Sequence, residues 1–386
     1  VSARRLLLVV PYFPPKRGGV ENYAHRVALG MAAHGWRVTV ATSGDGACSA
    51  EEVTPEGIRV RRLARWARLS NTPVSAAWWR DLREIIGAVE PHVIDAHTPV
   101  PVLADLAVRL AGRIPAVVTY HGDVVKEGTA LRLAWRLFDA AVLQGTLRRA
   151  TRIIATSDLY AGKSRSLRPH REKVEIIPPG VDTARFRPDV APSSLEAGFR
   201  GREVLLFVGQ LDRSHSHKGV EELLRAVALV RESRPSVLCV VVGAGDGLDG
   251  YRRRAATLGI EGHVRFAGAV EEEDLPRYYR ASRAVVLPSR NDTEGFGMVL
   301  LEAAASGIPA VGTTVGGIPK ALDDGRAGLL VAPRDPVALA DAMRLLLSDG
   351  ELGRRLGEHG RERAVREFSW EIQVEKHLRL FERLCG

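Results

Sequence analysis

Glu294 and Glu302 place two carboxylates eight positions apart around a glycine-aromatic-glycine turn, Gly295-Phe296-Gly297, and an apolar run, Met298 to Leu301. Arg283 to Pro288 reads as a short apolar strand and the segment through Ala305 has helical composition, which predicts Glu294 in a loop and Glu302 in the following helix. A helix start exposes free N–H groups and the positive end of its dipole, and both attract phosphate. Carboxylates beside it can accept hydrogen bonds from ribose or sugar hydroxyls, and a nucleotide sugar presents all of these groups. The alternative is that Glu294 only complements the dipole and Glu302 is a solvated helix residue.

Other candidate groups also follow apolar runs. Pro14 to Glu21 contains Gly18-Gly19, which would let backbone N–H groups approach an anion at a helix start, with Lys16 and Arg17 adding positive charge. Tyr120-His121-Gly122-Asp123 is a polar cluster at a strand end. Gly209-Gln210-Leu211-Asp212-Arg213 runs on to Lys218-Gly219, and its two cations suit a diphosphate leaving group. Gly243 to Gly247 follows the next strand, but no acidic partner at dinucleotide spacing supports a nicotinamide site.

The elements that must position these groups alternate between strand and helix, the pattern of parallel α/β sheets. Expected strands of the first half are Leu6–Val10, Val38–Thr42, Val93–Ala96, Ala116–Tyr120, Ile153–Thr156 and Val174–Ile177, with helices over Gly19–His34, Pro101–Ala111 and Ala130–Ala150. A second set comprises Val204–Val208, Val237–Val242, Val264–Phe266, Ala284–Leu287, Ala310–Gly312 and Gly328–Val331. The chain of 386 residues exceeds what one core usually serves. The predicted division is 1–183, a linker at 184–200, 201–367, and a last helix at 368–386 that crosses back to the first domain. In such sheets ligands bind beyond the carboxyl ends of the strands, where the candidate groups fall.

Composition narrows the class. The 45% hydrophobic and 26% charged content is that of a folded globular chain. Cys48, Cys239 and Cys385 lack disulfide-framework or zinc spacing, which indicates a reducing compartment, and no apolar run reaches the ~20 residues of a spanning helix. The basic flank before Leu6 reads as the approach to a first strand rather than a leader. The net charge of +9 is uneven: residues 1–185 carry +10 and residues 186–386 carry −1. Arg59, Arg61, Arg62, Arg65 and Arg68, with Trp66, Trp78 and Trp79 nearby, form either a patch for an anionic lipid surface or acidic acceptor, or a solvated face. No nucleic-acid-binding signature accompanies the charge.

Gly18-Gly19, His121, Pro178-Pro179-Gly180-Val181-Asp182, the Lys218-Gly219 loop and the Glu294 to Glu302 motif, in this order, resemble the retaining glycosyltransferases of family 4 over nearly the whole chain. The resemblance implies an α/β fold of the GT-B kind, two Rossmann-like doubly wound domains facing across a cleft. The N-terminal domain would take the acceptor and the C-terminal domain the nucleotide diphosphate sugar. Glu302 would accept ribose hydroxyls, Glu294 would meet the donor sugar, and the backbone of Gly295, Phe296 and Gly297 would lie along sugar and diphosphate. Lys218 would grip the diphosphate and His121 would contact the donor sugar. Gly18, Gly19 and Gly209 complete the implied donor site.

One position departs from the pattern. Gln210 stands where the family usually has Arg, and Arg213, within a longer loop, is the candidate replacement. The implied reaction transfers a UDP- or GDP-linked sugar to an acceptor hydroxyl with retention, in glycolipid, polysaccharide or natural-product synthesis. Chain and resemblance together imply no cofactor and no metal, since Lys and Arg charge can replace a divalent ion and Asp-x-Asp is absent. A cytoplasmic protein is expected, either free or peripheral at the inner face of an anionic membrane. An epimerase or phosphorylase of the same fold, and a non-catalytic nucleotide-sugar-binding partner, are the other readings.

Overall fold

Strands with no polar face dominate both halves. Leu6 to Val9 and Val237 to Val242 are buried along their whole length, as expected where helices cover both faces of a parallel sheet. In the computed structural model, residues 3–16, 18–46, 48–69, 72–123, 129–190 and 198–386 are described. The chain forms two units, Val1–Pro179 with Glu371–Gly386, and Gly180–Trp370.

Unit 1 contains β1 (Arg5–Val9), β2 (Arg37–Ser43), β3 (Ala50–Val53), β4 (Arg59–Leu63), β5 (Ala67–Leu69), β6 (Thr72–Val74), β7 (Val93–Thr98), β8 (Ala116–Tyr120), β9 (Arg152–Ala155) and β10 (Val174–Ile176). Its helices are α1 (Gly19–Ala33), α2 (Trp78–Val89), α3 (Leu103–Leu110), α4 (Thr129–Phe138), α5 (Gln144–Arg149) and α6 (Asp158–Lys163). The sheet order is β10-β9-β8-β7-β1-β2-β4-β3, parallel except for β3, and β5–β6 form a separate hairpin. α2 buries Trp78, Leu82 and Ile85, the three- and four-residue spacing of one helix face.

Unit 2 contains β11 (Glu203–Val208), β12 (Val237–Val242), β13 (Val264–Gly268), β14 (Ala284–Leu287), β15 (Ala310–Thr313) and β16 (Gly328–Val331). Its helices are α7 (Val220–Ser233), α8 (Leu248–Thr257), α9 (Leu275–Arg280), α10 (Met298–Ala305), α11 (Ile318–Ala321), α12 (Pro336–Ser348) and α13 (Gly350–Glu367), and α14 (Trp370–Cys385) follows. The order β13-β12-β11-β14-β15-β16 is all parallel. Counted within the unit it is 3-2-1-4-5-6, the doubly wound arrangement whose strand order reverses between the first and fourth strands. Fully buried Leu and Val side chains such as Leu205, Val227 and Val285 contribute about 1.5–3 kcal/mol each. The Asp335 carboxylate caps α12 by accepting from the N–H groups of Val337 and Ala338, with Pro336 in the first turn.

The last helix packs with unit 1. The position of a Cβ on Gly30 would fall 2.3 Å from Val374, so glycine there lets α1 meet α14 closely, and Arg383 pairs with Glu175 at 2.7 Å. The division between units falls at Pro179–Gly180, ahead of the segment 184–200.

Several local readings change. Arg59, Arg61 and Arg62 of the Arg-rich segment lie in β4, where Arg61 and Arg62 pair with Glu51 and Glu52 of β3 at 2.8 and 2.6 Å, so much of that charge is already answered within the sheet. Trp78 is wholly buried and donates to Ala64 O at 2.9 Å, while Trp66 is exposed. The helix expected over Ala130–Ala150 is α4 and α5 joined by one π-helical turn, Asp139–Leu143. Among the described residues no helix is long and apolar enough to cross a membrane.

Candidate active site

The loops after β11 and β14 leave the sheet of unit 2 where the strand order reverses. They are stitched together: Arg290 N–H donates to His217 O at 2.7 Å. Gly219 closes the first loop with φ +75°, and a Cβ there would lie 1.9 Å from Pro288 O, so only glycine lets the loops approach. Gly243, at φ +142°, sits as close to Gly209 O. The loop after β15 presses on the same place. Gly316, at φ +54°, has its missing Cβ 1.8 Å from Glu294 O, and its N–H donates to Asp292 at 2.6 Å.

Lys218 and Glu294 meet at this crossing. Lys218 Nζ lies 3.0 Å from Glu294 Oε2, which also accepts from Ser289 Oγ at 3.2 Å. Burial alone would raise the Glu294 pKa, but Lys218, His217 and these two hydrogen bonds together hold it below the usual carboxylate range. Burial also draws the His217 imidazole down to about 4, against the pull of Glu294 and with help from Lys218, so it is neutral at pH 7. The ammonium has three donors, and Glu294 takes one of them.

Gly297 caps α10 in the left-handed region, at φ +83°. Phe296 is buried against Phe368, ring centroids 5.7 Å apart, so its side chain anchors the turn. Glu302 lies in α10 and accepts from Tyr279 O–H at 2.5 Å. Burial lifts its pKa to about 7, although Tyr279 and Arg185 oppose the rise. Among the described residues no hydrogen bond or ion pair joins Glu294 to Glu302: each carboxylate has its own partners. Gln210 is half-buried beside Gly209. The backbone N–H of Arg213 donates to Asp246 at 2.7 Å, and its side chain is exposed.

In unit 1, Gly18 is the N-cap of α1 in extended conformation and Gly19 begins the helix. Lys16 Nζ sits 3.0 Å from the centroid of the Tyr12 ring, a cation–π contact; Arg17 lies outside the described residues. His121 follows β8, its Nε2 2.8 Å from His97 Nδ1. Burial, reinforced by His97, holds the His121 pKa well below the ordinary imidazole value. Asp123 accepts from Tyr120 and Ser164 at 2.6 and 2.8 Å and is a structural anchor.

Sequence reading missed Ser289, Tyr279, His217, Gly316 and the pair Asp95 and His97. Ser289 and His217 adjoin motifs already singled out, and position alone could have raised them; Tyr279 and Asp95 meet their partners only through the fold. Among the described residues no group of three His, Cys, Asp or Glu side chains is placed to hold a metal ion.

Two Rossmann-like units, with a crossing of loops at the strand-order reversal of the second, are the architecture of nucleotide-sugar-using glycosyltransferases, and the similarities to known proteins identify that class. Residues 196–363 match the family described as Glycosyl transferases group 1, and residues 17–185 the one described as Glycosyltransferase Family 4. A GDP-mannose-dependent alpha-(1-6)-phosphatidylinositol monomannoside mannosyltransferase of Mycobacterium tuberculosis is 31% identical over 96% of this chain and 96% of its own. The O-antigen chain mannosyltransferase C of Escherichia coli is 28% identical over 97% and 96%. Among solved structures, sucrose-phosphate synthase from Thermosynechococcus elongatus superposes with a TM-score of 0.80 at 24% identity, covering 99% of each chain. WaaG, a glycosyltransferase involved in lipopolysaccharide biosynthesis, gives 0.75 at 21%, covering 97% and 99%. The chain belongs to glycosyltransferase family 4: it is a nucleotide-sugar-dependent hexosyltransferase of the retaining type with a GT-B fold.

Proposed function

We propose that the protein transfers mannose from GDP-mannose to a hydroxyl of a membrane-borne, sugar- or cyclitol-bearing lipid, with retention. The observation that carries the donor site is the Lys218–Glu294 pair at the crossing of the loops after β11 and β14. Two ammonium donors remain for phosphate oxygens, and Glu294, held ionised, accepts from sugar hydroxyls. Glu302 receives the ribose hydroxyls in place of Tyr279, the backbone of Gly295, Phe296 and Gly297 follows sugar and diphosphate, and His121 meets the sugar. Gly18 and Gly19 of unit 1, and Gly209 with Gln210 of unit 2, contribute donor-binding backbone, and Arg213 supplies the charge that Gln210 lacks.

In the reaction the acceptor oxygen bonds to the anomeric carbon on the face from which the phosphate departs. The bond from that carbon to the phosphate oxygen breaks, its electrons stay on phosphate, and the acceptor proton passes to the departing phosphate. Lys218 stabilises the charge that develops there. Lysine and arginine charge makes a divalent ion unnecessary.

The mannosyl donor and lipid acceptor are supported by the full-length similarity to the mycobacterial enzyme. A lipid surface is further supported by α4, whose exposed Leu133, Arg136 and Leu137 alternate apolar and basic groups. The test is incubation with GDP-mannose and vesicles of phosphatidylinositol monomannoside, without and with a chelator. An α-linked product formed under both conditions is expected. A β-linked product, donor breakdown alone, or binding without turnover would overturn the proposal.

A further inference from the structure

His121 is backed by a chain of buried polar groups within unit 1. Asp95 and His97 stand two residues apart on β7, hence on one face of the sheet, and both are fully buried. Thr119 Oγ1 donates to Asp95 Oδ1 at 2.7 Å. Asp95 Oδ2 and His97 Nε2 have no other hydrogen-bond partner among the described residues and lie 3.4 Å apart. His97 Nδ1 is 2.8 Å from His121 Nε2. Tyr23, from α1, stands edge-on to both imidazoles, with centroids 6.0 and 5.1 Å away, and its hydroxyl lies 3.0 Å from His377 Nε2 of α14. These contacts fix the planes of both rings.

The proton positions follow from what each atom can do. An ionised carboxylate only accepts, so a bare imidazole nitrogen facing it would oppose lone pair to lone pair; His97 Nε2 must carry hydrogen. An imidazole that carries its one proton on Nε2 leaves Nδ1 as an acceptor. The 2.8 Å contact is then satisfied only if His121 Nε2 donates. We propose that His97 carries one ring proton, on Nε2 towards Asp95, and that the two are positioning residues that lock His121 in the Nε2–H tautomer, leaving its Nδ1 as a bare acceptor for a ligand hydroxyl. The functional part of this rests on the contact between His121 and the donor sugar given above.

The consequence is selectivity. A lone pair backed by the Asp95 carboxylate accepts from a hydroxyl and repels a carboxylate, so the site favours neutral hexosyl donors over hexuronosyl ones. Burial already keeps His121 uncharged, so it cannot answer an anionic group by protonation.

Long-range 1H–15N correlation on the full chain labelled with 15N-histidine reads each ring's tautomer directly, with His121 assigned by comparison with His121→Asn. The expected wild-type result is His121 protonated on Nε2 only. In Asp95→Asn the amide can donate to His97 Nε2, which reverses His97 and shifts His121 to Nδ1–H. kcat/KM for GDP-mannose then falls about tenfold, the size of one lost hydrogen bond, while affinity for GDP alone is unchanged. A wild-type His97 protonated on both nitrogens, a wild-type His121 protonated on Nδ1, or a tautomer unchanged in Asp95→Asn overturns the proposal, and the wild-type spectrum decides even if the variant does not fold. Absence of GDP-mannose turnover by the wild type would refute the donor reading and leave the spectrum to judge the tautomer.

Discussion

Replacing Glu302 with glutamine should make the ligand-free protein more stable at pH 8 and leave it nearly unchanged at about pH 4. Glu302 has an ordinary pKa of 4.5 unfolded and about 7 in the fold, because burial disfavours its charged form. The folded state therefore holds the proton longer than the unfolded state, and the stability contributed by Glu302 falls as pH rises from about 4.5 to about 7 and is level beyond. At ~1.4 kcal/mol per unit, the rise corresponds to about 3.5 kcal/mol in full, less where solvent screens the half-buried side chain. Glutamine keeps an oxygen for the Tyr279 hydroxyl and never ionises, so it removes this penalty. Urea unfolding of wild type and Glu302→Gln at both pH values gives the difference, in which the titration of other groups cancels. A variant equally destabilised at about pH 4 and pH 8, or a difference that does not depend on pH, would show that burial does not hold the proton on Glu302. The same variant should bind a nucleotide sugar more weakly, since the neutral amide is a poorer acceptor for ribose hydroxyls.

Three further outcomes follow from the loop crossing. Glu294→Gln should cost about 3 kcal/mol by stranding the Lys218 ammonium, and the double variant with Lys218→Met should recover part of it, a coupling of about 1–3 kcal/mol in a double-mutant cycle. Gly316→Ala should lower the melting temperature and weaken donor binding, because its Cβ would meet Glu294 O at 1.8 Å, whereas Gly350→Ala, in open space, should do neither. Arg213→Ala should lower kcat/KM about tenfold without changing stability, the size of one charge-assisted contact; unchanged kinetics would remove Arg213 from the phosphate site.

Most strands of both sheets were legible because they are largely apolar runs bounded by turn residues, as in Val237–Val242. Glu294, Lys218 and the turn before α10 were legible for a related reason: neighbouring residues in sequence create the loop that holds them. Strands β3 and β4 were hidden because their alternating charges look solvated until Arg61 and Arg62 meet Glu51 and Glu52 across the ladder. The separation of the two carboxylates was hidden likewise. Spacing placed both near one helix start, but it could not reveal that Tyr279, from α9, claims Glu302 while Lys218 claims Glu294. The burial of Trp78 and the positions of Asp95 and His97 depend on contacts distant in sequence, which no local period reports.

The most direct test of the donor site is the melting temperature of the wild type and of Lys218→Ala with Glu302→Ala, each with GDP-mannose, UDP-glucose, ADP-glucose and dTDP-glucose. A ligand at about a hundred times its Kd stabilises the folded state by ~2.7 kcal/mol, which for a domain of this size raises the melting temperature by about 5–10 °C. That rise is expected with GDP-mannose in the wild type and should be absent in the double variant. No rise with any nucleotide sugar, or the same rise in both proteins, would contradict the donor-site assignment.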